Sequence, residues 1–352
     1  MQPRNFSPQQ MFQEMAVAHQ PQCQFDGEDA EYFRQWKADT LPRVLATLGK
    51  TPPSCVPNPH FVAEWQHDSV RKQRWIIDVN PWLSATFDIN YPAQLEEGEK
   101  RPAIMVCVGH DRQNGRKNPM GNAMESGAPD TPAPSSAYGH QLAKEGFITF
   151  GIDPLGMGDL SDVGKPNFRS QGEGRDWCNI YYLHATIMGM TSLAINVAHM
   201  RAAMDFAATL PGVDGDTFGV MGSSGGGTMS LWVSLCDERI KATEIICYSD
   251  LFAHFGVRHG NYCGWQITPG LFELVDLPEL QGLLAPRPVL IDIGARDECF
   301  RLESAMECFR GVESIYRAAG AEENLELDLH SGGHAWGGHK SAEFFAAHLR
   351  GS

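Results

Sequence analysis

Ser224, Asp297 and His334 have the types, and the order along the chain, needed to make an alcohol oxygen nucleophilic. A serine hydroxyl is a poor nucleophile at neutral pH; it needs a base to take its proton and an acid to orient the base. Ser224 lies in Phe218-Gly219-Val220-Met221-Gly222-Ser223-Ser224-Gly225-Gly226-Gly227, a Gly-x-Ser-x-Gly frame between an apolar strand and a helical pattern. No neighbouring serine fits this frame, since Ser223 would need glycine where Met221 stands. So tight a turn between strand and helix demands Gly222 and Gly226, because a side chain at either would strike the adjoining backbone. The same turn forces the serine into a strained conformation that exposes its hydroxyl, and the following helix aims free N–H groups at that spot.

The acid and base are expected past the ends of two later strands. Pro288-Val289-Leu290-Ile291-Asp292-Ile293-Gly294-Ala295-Arg296-Asp297 reads as a strand with a carboxylate just beyond it. Leu325 to His330 reads as another, followed by Ser331-Gly332-Gly333-His334. Each residue taken singly has a plainer role, Asp297 as a turn cap and His334 as a solvated loop residue. His330 and His339 compete as bases and Asp250 as the acid, whereas Asp292 is expected inside its strand and Glu298 pointing elsewhere. Three histidines within ten residues could suggest a metal, but no fourth ligand stands at metal-type spacing, so neither a metal nor another cofactor is expected. A developing oxyanion would be received by the N–H of Gly225 and by that of His110, in Val108-Gly109-His110-Asp111 after the third predicted strand.

These side chains come from distant points, so the elements between them must supply the convergence. A polar arm over residues 1–25 precedes a helix between Gly27 and Gly49, then the Pro-rich link 51–59. A hairpin, Arg74–Val79 and Leu83–Ile89, leads to the buried run Ala103–Val108. Strand and helix then alternate: a helix near Ser136–Lys144, strand Phe147–Ile152, a Gly-rich loop, one long helix from about Tyr181 to Thr209, the Thr217–Met221 strand with its Thr228–Cys236 helix, and strand Thr243–Tyr248. A short helix near Leu274–Leu284, strand Val289–Ile293, helix Leu302–Ala319, strand Leu325–His330 and helix Ala342–Leu349 complete the series. Such alternation calls for a mostly parallel sheet covered on both faces, here of eight strands. Residues 1–70 read as an arm and helical extension and 71–352 as the catalytic domain.

Composition narrows the partners. A net charge of −15, from 28 basic and 43 acidic residues, repels nucleic acid and anionic membrane, so a small neutral molecule is the expected partner. Hydrophobic content of 42% with 20% charged residues suits a folded globular chain. Nine cysteines without C-x-x-C spacing form no disulfide scaffold or zinc ribbon, and the first twenty residues lack the apolar run of a signal peptide, so a cytoplasmic location is expected. Oligomeric state is not legible.

Together these motifs resemble the α/β-hydrolase superfamily, within it the dienelactone-hydrolase-like and acetyl-xylan-esterase-like serine esterases, over residues 70–350. Further motifs carry the resemblance: Gly151-Ile152-Asp153-Pro154-Leu155-Gly156-Met157-Gly158-Asp159, similar to the Asp-x-x-Gly-x-Gly loop after the fourth strand; Arg201 to Phe206 with Pro211-Gly212-Val213-Asp214; Cys236 to Ala242; and Leu284-Ala285-Pro286-Arg287-Pro288. Two departures stand out: Val108-Gly109-His110-Asp111 replaces the His-Gly-x-Gly of many relatives, and serine replaces the elbow cysteine of dienelactone hydrolases. The resemblance implies an α/β-hydrolase fold and hydrolysis of short-acyl, acetyl-type esters of carbohydrates or other small alcohols through an acyl-enzyme. Trp177, Tyr181, Tyr182, Trp265 and Trp336, with Phe252 and Tyr262, are expected around the pocket, where such rings could stack on a sugar or simply pack a lid. Amide, peptide or carbon–carbon bond hydrolysis on the same triad is the alternative, and a non-catalytic binding module a further one.

Overall fold

The apolar run after Arg101 becomes the middle of the molecule. In the computed structural model, which describes residues 4–122, 136–162 and 177–350, strand β4 (Arg101–Cys107) has every side chain from Ala103 onward buried. It lies between β5 (Ile148–Ile152) and β6 (Val213–Ser223) and is parallel to both. Strands β7 (Ile240–Ile246), β8 (Val289–Gly294) and β9 (Leu325–His330) continue the parallel part outward from β6. On the other side β3 (Leu83–Tyr91), β2 (Val70–Asn80) and β1 (His60–His67) add antiparallel strands. The order is β1-β2-β3-β5-β4-β6-β7-β8-β9.

The sheet thus has nine strands rather than eight. The additional one, β1, is an edge strand with no fully buried residue, so it carries no apolar alternation to announce it. It also ties the end of the segment read as a helical extension into the sheet. That segment holds two helices, α1 (Pro8–Ala18), capped by Ser7, and α2 (Ala30–Ala46), capped by Asp29. The long helix expected from Tyr181 to Thr209 is two, α4 (Trp177–Ile187) and α5 (Ser192–Ala207). Gly189, at φ 75°, turns the chain between them, and the Thr191 side chain caps α5 on the Ala194 N–H. The remaining helices are α3 (Tyr138–Lys144), α6 (Gly225–Cys236), α7 (Leu271–Leu274), α8 (Leu277–Gly282), α9 (Leu302–Ala318) and α10 (Ser341–Leu349). No described helix is long and apolar enough to cross a membrane.

Helix α6 is buried almost end to end, with Trp232 inaccessible at its centre and only Thr228, Ser230 and Ser234 as polar side chains. Burial of a side chain that size contributes about 3 kcal/mol, which locks the helix and hence its first residue against the sheet. In a parallel sheet, ligands bind beyond the carboxyl ends of the strands. Here β4, β6, β8 and β9 deliver His110, Ser224, Asp297 and His334 past that same edge.

Candidate active site

The elbow has the geometry that its glycines require. Ser224, between β6 and α6, has φ 60° and ψ −119°, a left-handed conformation costing about 1–3 kcal/mol for a residue with a side chain. A Cβ on Gly222 would lie 2.5 Å from the Gly226 carbonyl oxygen and 2.7 Å from that of Cys107, and one on Gly226 would strike the Cys107 carbonyl. The Ser224 N–H donates to the Ile246 carbonyl (2.8 Å), fastening the elbow to β7. Among the described residues its hydroxyl makes no hydrogen bond, and Ser224 lines a cavity of about 440 Å³.

His334 lines the same cavity. Its Nδ1 is 2.7 Å from Asp297 Oδ2, which leaves Nε2 as the free ring nitrogen, and the imidazole stacks on Phe300 at 5.7 Å. The Asp297 side chain is almost wholly buried, while that of His334 is 30% exposed. Burial alone would raise the acid's pKa, but the His334 hydrogen bond and charge, with N–H donation from Phe300 (3.0 Å) and Cys299 (2.7 Å), hold it below the usual carboxylate value. Asp297 is therefore held in its ionised form where it meets the ring.

The His110 and Gly225 N–H groups are taken by no acceptor among the described residues. Gly109 brings the two loops together, since a Cβ there would lie 2.6 Å from the Ser223 carbonyl oxygen and 3.6 Å from the Gly225 nitrogen. The loop after β4 is anchored from below by Arg116, a fully buried guanidinium paired with Asp153, Asp159 (2.8 Å) and Asp88 (3.1 Å). The Asp153 carboxylate accepts the Arg116 N–H (2.6 Å) and the Asp159 N–H (3.0 Å). A Cβ on Gly158 would sit 2.5–2.6 Å from that carboxylate, so the Asp-x-x-Gly-x-Gly spacing exists to clear room for it. Sequence reasoning recognised the motif without finding its partner, Arg116.

The rival acids and bases lie elsewhere. Asp292 is inaccessible within β8 and Glu298 is exposed. Asp250 is buried and accepts the Leu251 N–H (2.7 Å). His330 and His339 pair with Asp292 and Asp328.

The expected aromatic lining is not where the sequence put it. Trp177, Tyr181, Tyr182, Trp265 and Trp336 do not line this cavity among the described residues. Trp177 and Tyr181 stack on each other at 5.3 Å, and the Tyr181 hydroxyl is held by Asp162. Tyr182 packs into the space left by Gly264, and Trp265 is inaccessible against Gly225 and the His110 ring (5.1 Å). The Trp336 indole N–H is committed to Glu244 (3.1 Å) and Ser341 (2.9 Å). Phe252 and Tyr262 wall a second, mostly apolar cavity beside α1. The rings that do reach the site are Tyr138, Phe255 and Phe300, joined by the amides Asn118, Asn261 and Gln266. Tyr138 opens α3 and donates to the Cys107 carbonyl (2.9 Å). Only contact across distant segments selects this set.

A mostly parallel sheet with helices on both faces and an elbow serine at its carboxyl edge is the α/β-hydrolase fold. Solved structures share it: a Bacteroides fragilis protein assigned as an acetyl xylan esterase aligns with TM-score 0.73 at 19% identity, over 93% of this chain and 83% of that one. A glucuronoyl esterase from Solibacter usitatus aligns with TM-score 0.61 at 14% identity, over 91% and 93%. The Abhydrolase family matches residues 2–210, more than half of the chain, and the chain belongs to that family. A Bacillus subtilis (strain 168) protein assigned as a hydrolase, YtaP, is 25% identical over 239 residues, covering 66% of this chain and 73% of that protein.

Proposed function

We propose that the protein is a serine carboxylic-ester hydrolase that works through an acyl-enzyme on small neutral esters, acetyl-type esters of carbohydrates among them. The observation carrying this reading is the strained Ser224 hydroxyl facing one cavity with an imidazole whose far nitrogen is held by a buried, ionised Asp297. Ser224 Oγ attacks the ester carbonyl as His334 Nε2 takes its proton. The oxyanion is received by the Gly225 and His110 N–H groups, and His334 returns the proton to the departing alkoxide. Water then attacks the acyl-enzyme by the same route, with His334 again as base.

The choice of a neutral substrate is supported by the lining. Three amides and the Asp111 carboxylate offer hydrogen bonds to hydroxyl groups, and the carboxylate disfavours an anionic acyl group. A cavity of about 440 Å³ suits a small alcohol and a short acyl chain. The esterase descriptions of the acetyl xylan and glucuronoyl structures favour an ester over an amide. Ser224→Ala should lower turnover of p-nitrophenyl acetate and acetylated sugars by about 10⁴-fold or more. Undiminished hydrolysis by that variant would overturn the reading, and faster cleavage of matched anilides than of esters would replace ester by amide chemistry.

A further inference from the structure

Beside the nucleophile lies a second group of reactive side chains that ester hydrolysis does not use. His110, Cys178 and Cys263 place one imidazole nitrogen and two thiol sulfurs all within 4.8 Å of one another, with His110 Nε2 3.1 Å from Cys263 Sγ. Both thiols are free and buried, at 3% and 9% exposure, whereas His110 opens onto the catalytic cavity and gives an ion a way in. Around them the frame is fixed. The Gly264 N–H donates to Asn179 Oδ1 (2.8 Å) and the Ser192 hydroxyl to the Gly264 carbonyl (3.2 Å), so the start of α4 and the segment carrying Cys263 are tied together.

One nitrogen and two sulfurs converging from three separate segments match the preference of Zn²⁺ and other soft divalent ions, and suit Mg²⁺ or Ca²⁺ poorly. Cys₂His sets of this type leave a fourth position for water or a ligand atom. We propose that His110, Cys178 and Cys263 form a Zn²⁺-class metal site on the wall of the catalytic cavity. As each sulfur–metal bond forms, its thiol proton passes to the buffer, and nothing is oxidised or reduced. The bound ion fastens the loop carrying the His110 N–H to α4 and to the Cys263 segment. The ligands are far apart in the chain, so no C-x-x-C spacing signals them.

The site is tested by titrating the reduced, metal-free full chain with Cd²⁺, followed by thiolate-to-metal charge-transfer absorbance, and with Zn²⁺ against a chromophoric chelator. The proposal expects one equivalent bound with Kd below about 1 μM. It also expects a loss of about 100-fold or more in Cys178→Ser and in Cys263→Ser, with Cys299→Ser and Cys247→Ser unchanged. The Cys247 control is needed because that thiol lies within 4.8 Å of the Asp297 and His334 ligand atoms and forms a rival cluster. Should the serine variants fail to fold, Zn²⁺ must still protect Cys178 and Cys263 of the unmodified chain from alkylation, as mapped by peptide mass spectrometry. The proposal is overturned if the folded chain gives no thiolate band at one equivalent, if the two thiols alkylate equally fast with and without Zn²⁺, or if only Cys247→Ser abolishes binding.

Discussion

Two histidine–aspartate pairs stand at the ends of β8 and β9, Asp292 with His330 inside the strands and Asp297 with His334 in the loops that follow, yet only the second pair borders the cavity that Ser224 lines. In the first, His334 Nδ1 and Asp297 Oδ2 are 2.7 Å apart and aligned, and the ring borders the cavity. In the second, His330 Nε2 lies 3.1 Å from Asp292 Oδ1 without hydrogen-bond alignment, and both groups are buried. The His330 ring is enclosed by Gly332 and Gly337, and its Nδ1 accepts the Gly332 N–H (3.1 Å). Burial pushes Asp292 up to about 7, an effect that N–H donation from Gly337 opposes and the nearby Asp328 charge reinforces. Asp297 moves the other way. The difference teaches that exposure of the histidine and donors around the acid, rather than residue type, separate a pair open to the cavity from one enclosed within the fold.

The strongest attack on that contrast is to remove the bases in turn. His334→Ala should lower kcat for a short-acyl ester by about 10⁴–10⁶-fold, whereas His330→Ala and His339→Ala should remain within about tenfold in folded protein. Comparable losses in all three would erase the distinction. Next come the acids: Asp297→Asn should cost about 10⁴-fold in kcat, through loss of the imidazole's orientation, and Asp292→Asn less than about tenfold.

Stability separates the acids with opposite signs. Asp292 has its folded pKa raised, so its stabilising share is full below the unfolded value near 4 and is lost as pH rises towards 7. Asp297, whose folded pKa is depressed, contributes above that unfolded value and loses its contribution as pH falls through the folded one. Urea midpoints measured from pH 4 to 7 should therefore show Asp292→Asn removing a downward slope present in the parent chain. An unchanged slope would mean that Asp292 is ionised in the fold. Smallest of all, His339→Ala, which breaks a 3.0 Å pair to Asp328 from a side chain 65% exposed, should shift stability by no more than about 1 kcal/mol in thermal melts.

Much of this arrangement was legible in the chain. The apolar run that became β4 is continuous, β8 is apolar but for Asp292 and β9 alternates apolar with polar residues, and the elbow glycines have one steric use, so these strands and the elbow serine stand out from local pattern alone. Chain order and the Gly333-His334 motif singled out His334 over His330 and His339, but all three sit in one short Gly-rich stretch, and what separates them in the fold is only what packs around them. The aromatic lining failed for the same reason. Trp336 and Trp265 are large apolar groups that found partners in Glu244 and beneath Gly225, contacts that no spacing encodes. Strand β1 was missed because an exposed edge leaves no alternation, and the α4–α5 break because a single glycine inside an apolar helical pattern does not declare itself.

The central claim is that Ser224 is the one activated hydroxyl, and covalent labelling tests it most directly. A fluorophosphonate probe, with the adduct located by peptide mass spectrometry, should give a single adduct on Ser224 and none over the same time in His334→Ala. An adduct on another residue, or undiminished ester hydrolysis with Ser224 unlabelled, would contradict it.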